Sequence, residues 1–333
     1  MLTIIIPVYN SKKFILQTLE SLEHQTFRDF KVLFIDDGSE DDSGQYIDGY
    51  FADKDIDYQI IYSEHQGVSA ARNLGLVHVN TPYVMFMDSD DIINSQMIEK
   101  LISCMLEKEL DAIYCGYDHI KGGQIVQSYK TKYTALNDEF ITGIDLLDKI
   151  FNDEVHIITS SVIYRSDLMK DMKFDEKSTY HEDLDFYYRV LSKATKVSFY
   201  NESLVYYVMR EDSLSHDLNL SKLEDGLYSL GGLYHYLKKT GHPASVISKI
   251  YTRVIPRTLF VFYSNLCVSK TTIKYYKENG YFKMMRLYSL NHFSKNQIIL
   301  MVKIRWIYIW PSSFRRSKIL YGYINKLRKK VVS

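Results

Sequence analysis

Asp88, Asp90 and Asp91 stand within four residues of one another in "YVMFMDSDDIINSQM", directly after the apolar run Val84 to Met87. Carboxylates this close repel one another and raise each other's pKa. At the end of a buried strand they need something positive to hold. Asp88-Ser89-Asp90 offers hard oxygen ligands, which suit Mg²⁺ or Mn²⁺. Such ions typically take one or two carboxylates and complete their shell from substrate phosphates. The chemistry that fits is a divalent cation and, through it, a diphosphate.

Two more polar clusters fall at strand ends: Tyr9-Asn10 after "TIIIPVY", and "DDGS" from Asp36 to Ser39 after "FKVLFI". Each alone reads as a turn with helix caps, because Asp and Ser serve both purposes. Three at successive strand ends read as a crevice, since ligands of an open parallel sheet bind at the carboxyl ends of its strands. The guest is not a dinucleotide held by G-x-G-x-x-G, because that position reads Pro7-Val8-Tyr9-Asn10. A P-loop is also absent.

The elements that must position these groups alternate over the first ~115 residues. Strands at "TIIIPVY", "FKVLFI", "YQIIYS", "YVMFM" and "LDAIYCGY" are separated by helical stretches over Ser11–Gln25, Ser43–Ala52, from Gly67 onward, and over Ser95–Glu109. This alternation predicts an α/β fold with right-handed crossovers and a mostly parallel sheet covered by helices on both faces. Beyond Tyr117 the pattern loosens into a hairpin across Gly122-Gly123, helices at "EFITGIDLLDKIF" and "HEDLDFYYRVLSKA", and strands at "SSVIYR" and "ESLVYYVM". From about Asp217 helical segments continue to the end, which sets a boundary between 1–215 and 216–333.

Composition divides the chain in the same place. It has 333 residues and no net charge, yet residues 1–200 carry 19 Lys/Arg against 34 Asp/Glu, and residues 201–333 carry 22 against 7. Such asymmetry points to a basic surface that meets an anionic partner. Cys104, Cys115 and Cys267 lack metal-ligand spacing, and their odd number argues against a disulfide framework. A reduced, cytoplasmic setting fits them. The start, "MLTIIIPVYN", lacks the basic region and cleavage site of a signal peptide. The most apolar stretch near the end, Ile298 to Trp310, is too short for a span and contains Lys303 and Arg305.

"IIIPVYN", "LFIDDGSEDDS", "QGVSAARNLGL", "FMDSDD" and "HEDLDF" come in an order and spacing that resembles the family 2 glycosyltransferases, in the bacterial branch that builds capsular and other surface polysaccharides. The resemblance covers about residues 1–210. It implies a GT-A fold, a nucleotide-sugar donor, a divalent metal (Mn²⁺ or Mg²⁺) and inversion at the anomeric carbon. Residues 1–215 would then be the catalytic domain, and 216–333 a helical region for acceptor or membrane association.

By the same resemblance Pro7 and Tyr9 would wall the base and ribose pocket. Asp37 would hydrogen-bond the base, which suits uracil and a UDP-sugar. Arg72 would sit near the nucleotide. Asp88, with Ser89, would meet ribose or the metal's water shell, Asp90 would ligate the metal and Asp91 would position the sugar. Asp183 matches the catalytic base, with Glu182 beside it. Arg210 and His216 are candidates for diphosphate or metal contact, and His181 for the acceptor. His65-Gln66 depart from the family's usual Asn before the Gly, which leaves the donor sugar open.

"KIRWIYIWPSSFRRSKILYGYINKLRKK", Lys303 to Lys330, holds nine basic residues, no acid and interleaved aromatics. That composition suits an interfacial segment on an anionic membrane. A solvated helical cap and a single-stranded nucleic-acid surface are the other readings, and no RNA-binding motif supports the last. A tail on the inner face of the bacterial membrane would fit an acceptor carried on a polyprenyl diphosphate lipid, or an oligosaccharide. Processive relatives resemble one another in a Q-x-x-R-W motif, whereas this chain reads "VKIRW", so transfer of a single sugar is expected. The rival expectations are an inactive nucleotide- or glycan-binding scaffold of an assembly complex, and a nucleotidyltransferase. The first has no need of both D-x-D and the Glu-Asp pair. The second favours a Gly-rich loop that "PVYNSKKF" lacks. Oligomeric state is not legible.

Overall fold

A computed structural model of the chain describes residues 1–129, 140–210, 218–266 and 269–290. The chain divides into two compact units, Met1–Ser213 and Leu214–Ser333.

The first unit is built on one sheet. Its strands are β1 (Leu2–Val8), β2 (Phe30–Asp37), β3 (Asp57–Ser63), β4 (Tyr83–Phe86), β5 (Ile92–Ile93), β6 (Ala112–Lys121), β7 (Gln124–Ser128), β8 (Val162–Arg165) and β9 (Val197–Val208). They lie in the order β3-β2-β1-β4-β8-β6-β9-β5, with β7 hairpinned onto β6. Strands β3, β2, β1 and β4 are mutually parallel. Strand β8 is antiparallel to both its neighbours, β4 and β6, so β6 runs with β4, and β9 runs with β6. Six strands therefore point the same way, and the residues after β1, β2, β4 and β9 emerge at one rim. The sheet is mostly parallel with helices on both sides, as the alternation predicts.

The central strands are apolar throughout because both faces are covered. Leu2, Ile4, Ile5, Ile6 and Val8 of β1 are fully buried, as are Val32 to Ile35 of β2. Pro7 is tolerated in β1 for a local reason. The carbonyl of Ile5 accepts from Met87 N, so the odd positions of β1 face β4. The β1–β4 register ends at Ile5↔Phe86, so the N–H that Pro7 lacks faces no strand.

Helices α1 (Leu16–Glu23), α2 (Ser43–Phe51), α3 (Val68–Val77), α4 (Met97–Lys108), α5 (Gly143–Phe151) and α6 (Glu182–Lys193) complete this unit. α1 begins later than the sequence suggests, because Ser11 starts a turn whose carbonyl takes the amides of Phe14 and Ile15. The Gly122-Gly123 turn has φ of 58° and 79°, the two positive angles of a tight β-hairpin. The two-residue strand β5 has no counterpart in the sequence reading. Nor does the insertion of β8 between β4 and β6.

The second unit is helical in its described residues: α7 (Leu220–Lys239), α8 (Ala244–Lys249), α9 (Ile255–Leu266), α10 (Lys270–Glu278) and α11 (Tyr281–Leu290). Asn219 caps α7 by accepting from Lys222 N at 3.0 Å. A widened π turn, Ile250–Val254, precedes Pro256, whose ring would clash with a carbonyl four residues back in a regular helix. Leu223, Leu233, Leu259, Phe262 and Tyr276 are buried in this unit's core, and Tyr276 donates its hydroxyl to the Leu259 carbonyl at 2.8 Å. No described helix is long and apolar enough to cross a membrane. The basic stretch Lys303–Lys330, His216 and Cys267 lie outside the described residues.

Candidate active site

At the rim, the end of β2 is fastened to the start of α3. Asp37 is buried and its two carboxylate oxygens accept from the amides of Gln66 (2.9 Å) and Gly67 (2.8 Å). His65 Nδ1 lies 2.9 Å from Asp37 Oδ2, and the His65 ring stacks on Tyr9 at 4.0 Å and 17°. Gly67 opens α3 with φ of 95°. Tyr9 is exposed, so the Tyr9–His65 pair presents a flat aromatic surface beside Asp37. Pro7, two residues before Tyr9, is half-buried. Asp36 turns the chain by accepting from Ser39 N at 2.8 Å.

The D-x-D segment follows β4. Asp88 N donates to Ser160 Oγ at 3.1 Å, and Ser160 in turn donates to Asp91 Oδ2 at 2.5 Å. Ser89 meets Ser11 through their hydroxyls at 3.0 Å, and its carbonyl accepts from Thr18. Asp91 is buried, and its Oδ1 has no hydrogen-bond partner among the described residues. Burial, with Asp88 and Asp90 adding to it, drives the Asp91 carboxyl well above its ordinary range. Asp90 is pushed up by burial and Asp88, against the pull of Arg210, which pairs with its Oδ2. Arg210, just past β9, lays its guanidinium on the Phe14 ring, 3.6 Å from the centroid.

Arg72 joins this segment to the Glu-Asp pair. Its side chain is 4% exposed. Nη2 donates to Asp88 Oδ1 at 3.0 Å and Nη1 to Glu182 Oε1 at 3.3 Å. Burial alone would favour losing its proton, but Tyr187, Asp88, Glu182 and Asp183 reverse that and hold it charged. Arg72 was expected near the nucleotide; the structure places it beneath the surface, engaged by two carboxylates 94 residues apart in sequence (182 minus 88). Glu182 is pushed up to about 7 by burial and by Asp183, with Arg72 opposing.

Glu182 and Asp183 open α6. His181 precedes them in the left-handed region at φ 62°, uncommon for a residue with a Cβ. Its carbonyl accepts from Asp185 N, and its ring tilts against Tyr180 at 4.3 Å. Asp183 Oδ1 accepts from Leu184 N at 2.7 Å, and among the described residues no arginine is paired with this carboxylate. Acids are favoured at this helix end by its dipole.

The structure thus brings Pro7, Tyr9, Asp37, Asp88, Ser89, Asp90, Asp91 and Arg210 to one rim, and ties Glu182 and Asp183 to it through Arg72. Sequence reasoning missed Phe14 and Ser160. Neither carries a local signal, because each matters only through a partner brought by strand order. No group of three or more His, Cys, Asp or Glu among the described residues is arranged to hold a metal. Asp88 and Asp90 nonetheless suit one. Each meets its arginine through a single oxygen, and Asp91 Oδ1 beside them has no hydrogen-bond partner among the described residues. A cation that draws the rest of its shell from phosphates needs no more protein ligands than two.

Comparison with known proteins identifies the class. The family model described as glycosyl transferase family 2 matches residues 3–172, just over half the chain, and the chain belongs to that family and is a glycosyltransferase. Glycosyltransferase GlyG of Streptococcus pneumoniae serotype 4 is 27% identical over 228 residues, 64% of this chain and 72% of that protein. Of two other curated relatives the chain spans less than two thirds of the length, at 63% and 31%. Among solved structures, residues 1–349 of S. aureus TarS with UDP-GlcNAc superpose with a TM-score of 0.68 at 22% identity, over 97% of this chain and 89% of that one. A mannosyltransferase from Pyrobaculum calidifontis, with GDP-Man and Mn²⁺, gives 0.55 at 13% identity, over 93% and 87%. The fold is the GT-A fold of these neighbours.

Proposed function

We propose that this glycosyltransferase moves a single sugar, with inversion, from a UDP-sugar to a lipid-linked or oligosaccharide acceptor in surface or capsular polysaccharide synthesis. The observation that carries the reading is Arg72: it ties the D-x-D carboxylate Asp88 to Glu182, and so ties donor-side acids to the Asp183 segment. The TarS structure with UDP-GlcNAc supports a UDP donor by analogy of fold.

In this reading the Tyr9–His65 surface carries uracil, and Asp37 receives the base's N–H while its backbone bonds keep it in place. A divalent cation on Asp88 and Asp90 would neutralise the diphosphate as it leaves. Asp183 takes the proton of the acceptor hydroxyl while the hydroxyl oxygen bonds to the anomeric carbon. The bond from that carbon to the diphosphate oxygen breaks, and its electron pair leaves with UDP. Attack from the face opposite the leaving group inverts the centre. Glu182 is not the base here, because its carboxylate is committed to Arg72. Asp91 and His181 flank the transferred sugar and the acceptor. Association is peripheral, on the inner face of the bacterial membrane, through the basic C-terminal region.

Calorimetry with UDP, GDP, CDP and dTDP, each with and without Mn²⁺, tests the donor half. Selective, metal-dependent binding of UDP is expected, and nucleotide-blind binding sinks it. Asp183→Asn tests the other half. Transfer should fall by roughly 10²–10⁴-fold, the usual contribution of a positioned base, with UDP binding retained. Near-normal turnover of that variant removes Asp183 from its role.

A further inference from the structure

The D-x-D carboxylate Asp90 already holds a positive group, and that group is Arg210. The arginine is supported on its other side by the Phe14 ring, 3.6 Å from the guanidinium carbon. Its Nε is buried and donates to nothing among the described residues. One nitrogen is thus spent on Asp90, and an adjacent N–H is held dry without an acceptor. Nε and Nη of an arginine form a fork that matches two oxygens of a phosphate.

We propose that Arg210 is a resident cation on Asp90, exchanged for the divalent metal when the donor binds and then passed to the donor's diphosphate. The proposal deepens the metal–diphosphate reading above and rests on it. A guanidinium and a dication on one carboxylate would stand within about 4 Å of each other, where like charges repel strongly in a partly buried site. Asp90 therefore accepts one or the other. Metal alone must displace Arg210 with nothing to receive it. With a diphosphate present, the displaced guanidinium gains a bidentate anionic partner, and its unfilled Nε finds an acceptor. Phe14 gives it a fixed apolar face to turn against. Metal and nucleotide then bind with positive coupling, and Arg210 is the reason.

The test is the sign of two affinities in Arg210→Met, measured by calorimetry on the full chain. Mn²⁺ alone should bind more tightly than to wild type, and UDP in saturating Mn²⁺ should bind more weakly. Each shift is expected at roughly tenfold, within the usual range for coupled sites. A residue that only contacts diphosphate leaves Mn²⁺ alone unchanged, and one that only supports the fold weakens both. Arg210→Lys keeps the charge and loses the fork, so it should leave Mn²⁺ affinity near wild type while weakening UDP. Phe14→Leu removes the aromatic floor and keeps the arginine, so it should tighten Mn²⁺ alone with a smaller loss of UDP. Unchanged or weaker Mn²⁺ binding in Arg210→Met, with wild type binding both ligands, overturns the exchange and leaves the donor reading standing. A wild-type chain that binds UDP but no Mn²⁺ overturns both the exchange and the metal assignment.

Discussion

Glu182 and Asp183 are sequence neighbours with separate surroundings. Glu182 faces inward to Arg72, whereas Asp183 bonds only its own helix start among the described contacts. Burial and Asp183 lift the Glu182 carboxyl from 4.5 to about 7. Between those values the folded chain keeps a proton that the unfolded chain has released. Stability from this group is therefore full below about pH 4.5 and is lost as pH rises to about 7. Glu182→Gln imitates the protonated side chain at every pH. Its stability relative to wild type should rise between pH 5 and pH 8, by up to about 3 kcal/mol if the whole shift is expressed. Urea unfolding of both chains at the two values measures this; a difference independent of pH would show that Glu182 does not titrate in that window. The place of both acids at a helix start was legible in "HEDLDF", but which of them meets Arg72 was not. Arg72 lies 110 residues earlier, and its spacing in "GVSAARN" says nothing about which carboxylates surround it.

At the scale of elements, α3 is the part that the rest of the site leans on. Its N-terminus receives Asp37 through Gln66 and Gly67, and its buried face carries Arg72. One turn on, Gly75 lies against β1, where an added Cβ would stand 2.5 Å from Ile5 Cγ2. In an open helix Gly→Ala gains about 1 kcal/mol of propensity. Here the methyl must push α3 off the sheet, so Gly75→Ala should instead destabilise by roughly 1–3 kcal/mol, the usual cost of overpacking. Because α3 carries Arg72, transfer should fall as well, and Ile5→Ala in the same chain should recover part of both losses. Urea midpoints of the single and double variants decide it; a stabilised Gly75→Ala would mean that α3 does not ride this close to β1. Strands β1 to β4 and the helices between them were readable because a parallel sheet buries both faces, leaving continuous apolar runs. The position of β8 was not. A four-residue strand inserted antiparallel between β4 and β6 obeys no local pattern, yet it is what places Ser160 beneath Asp88 and Asp91.

Across the whole molecule, charge follows the division into two units. Acids gather in the unit that holds the candidate site, and from Lys238 to the end there are 20 basic residues against the single acid Glu278. An excess of that size within one stretch of sequence repels itself unless an anionic partner neutralises it. On the reading proposed above, an acceptor on a lipid diphosphate would place that partner at the membrane, among anionic head groups. Each Lys or Arg near such a surface contributes about 1 kcal/mol, and the attraction is screened by salt. The full chain should therefore sediment with vesicles containing anionic phospholipid, stay in solution with purely zwitterionic vesicles, and be released as salt is raised. Reversing Arg315, Arg316 and Lys318 to Glu takes away three attractions and adds three repulsions. It should weaken vesicle binding by roughly 100-fold or more, since about 3 kcal/mol is lost from the attractions alone. Transfer to a soluble oligosaccharide acceptor should be unaffected, because the role proposed for these positions is at the membrane and not in the reaction. Binding that ignores lipid charge and salt, or that survives the triple reversal, would assign the basic residues to something other than a membrane. Loss of soluble transfer in the same variant would instead bring them into the reaction itself.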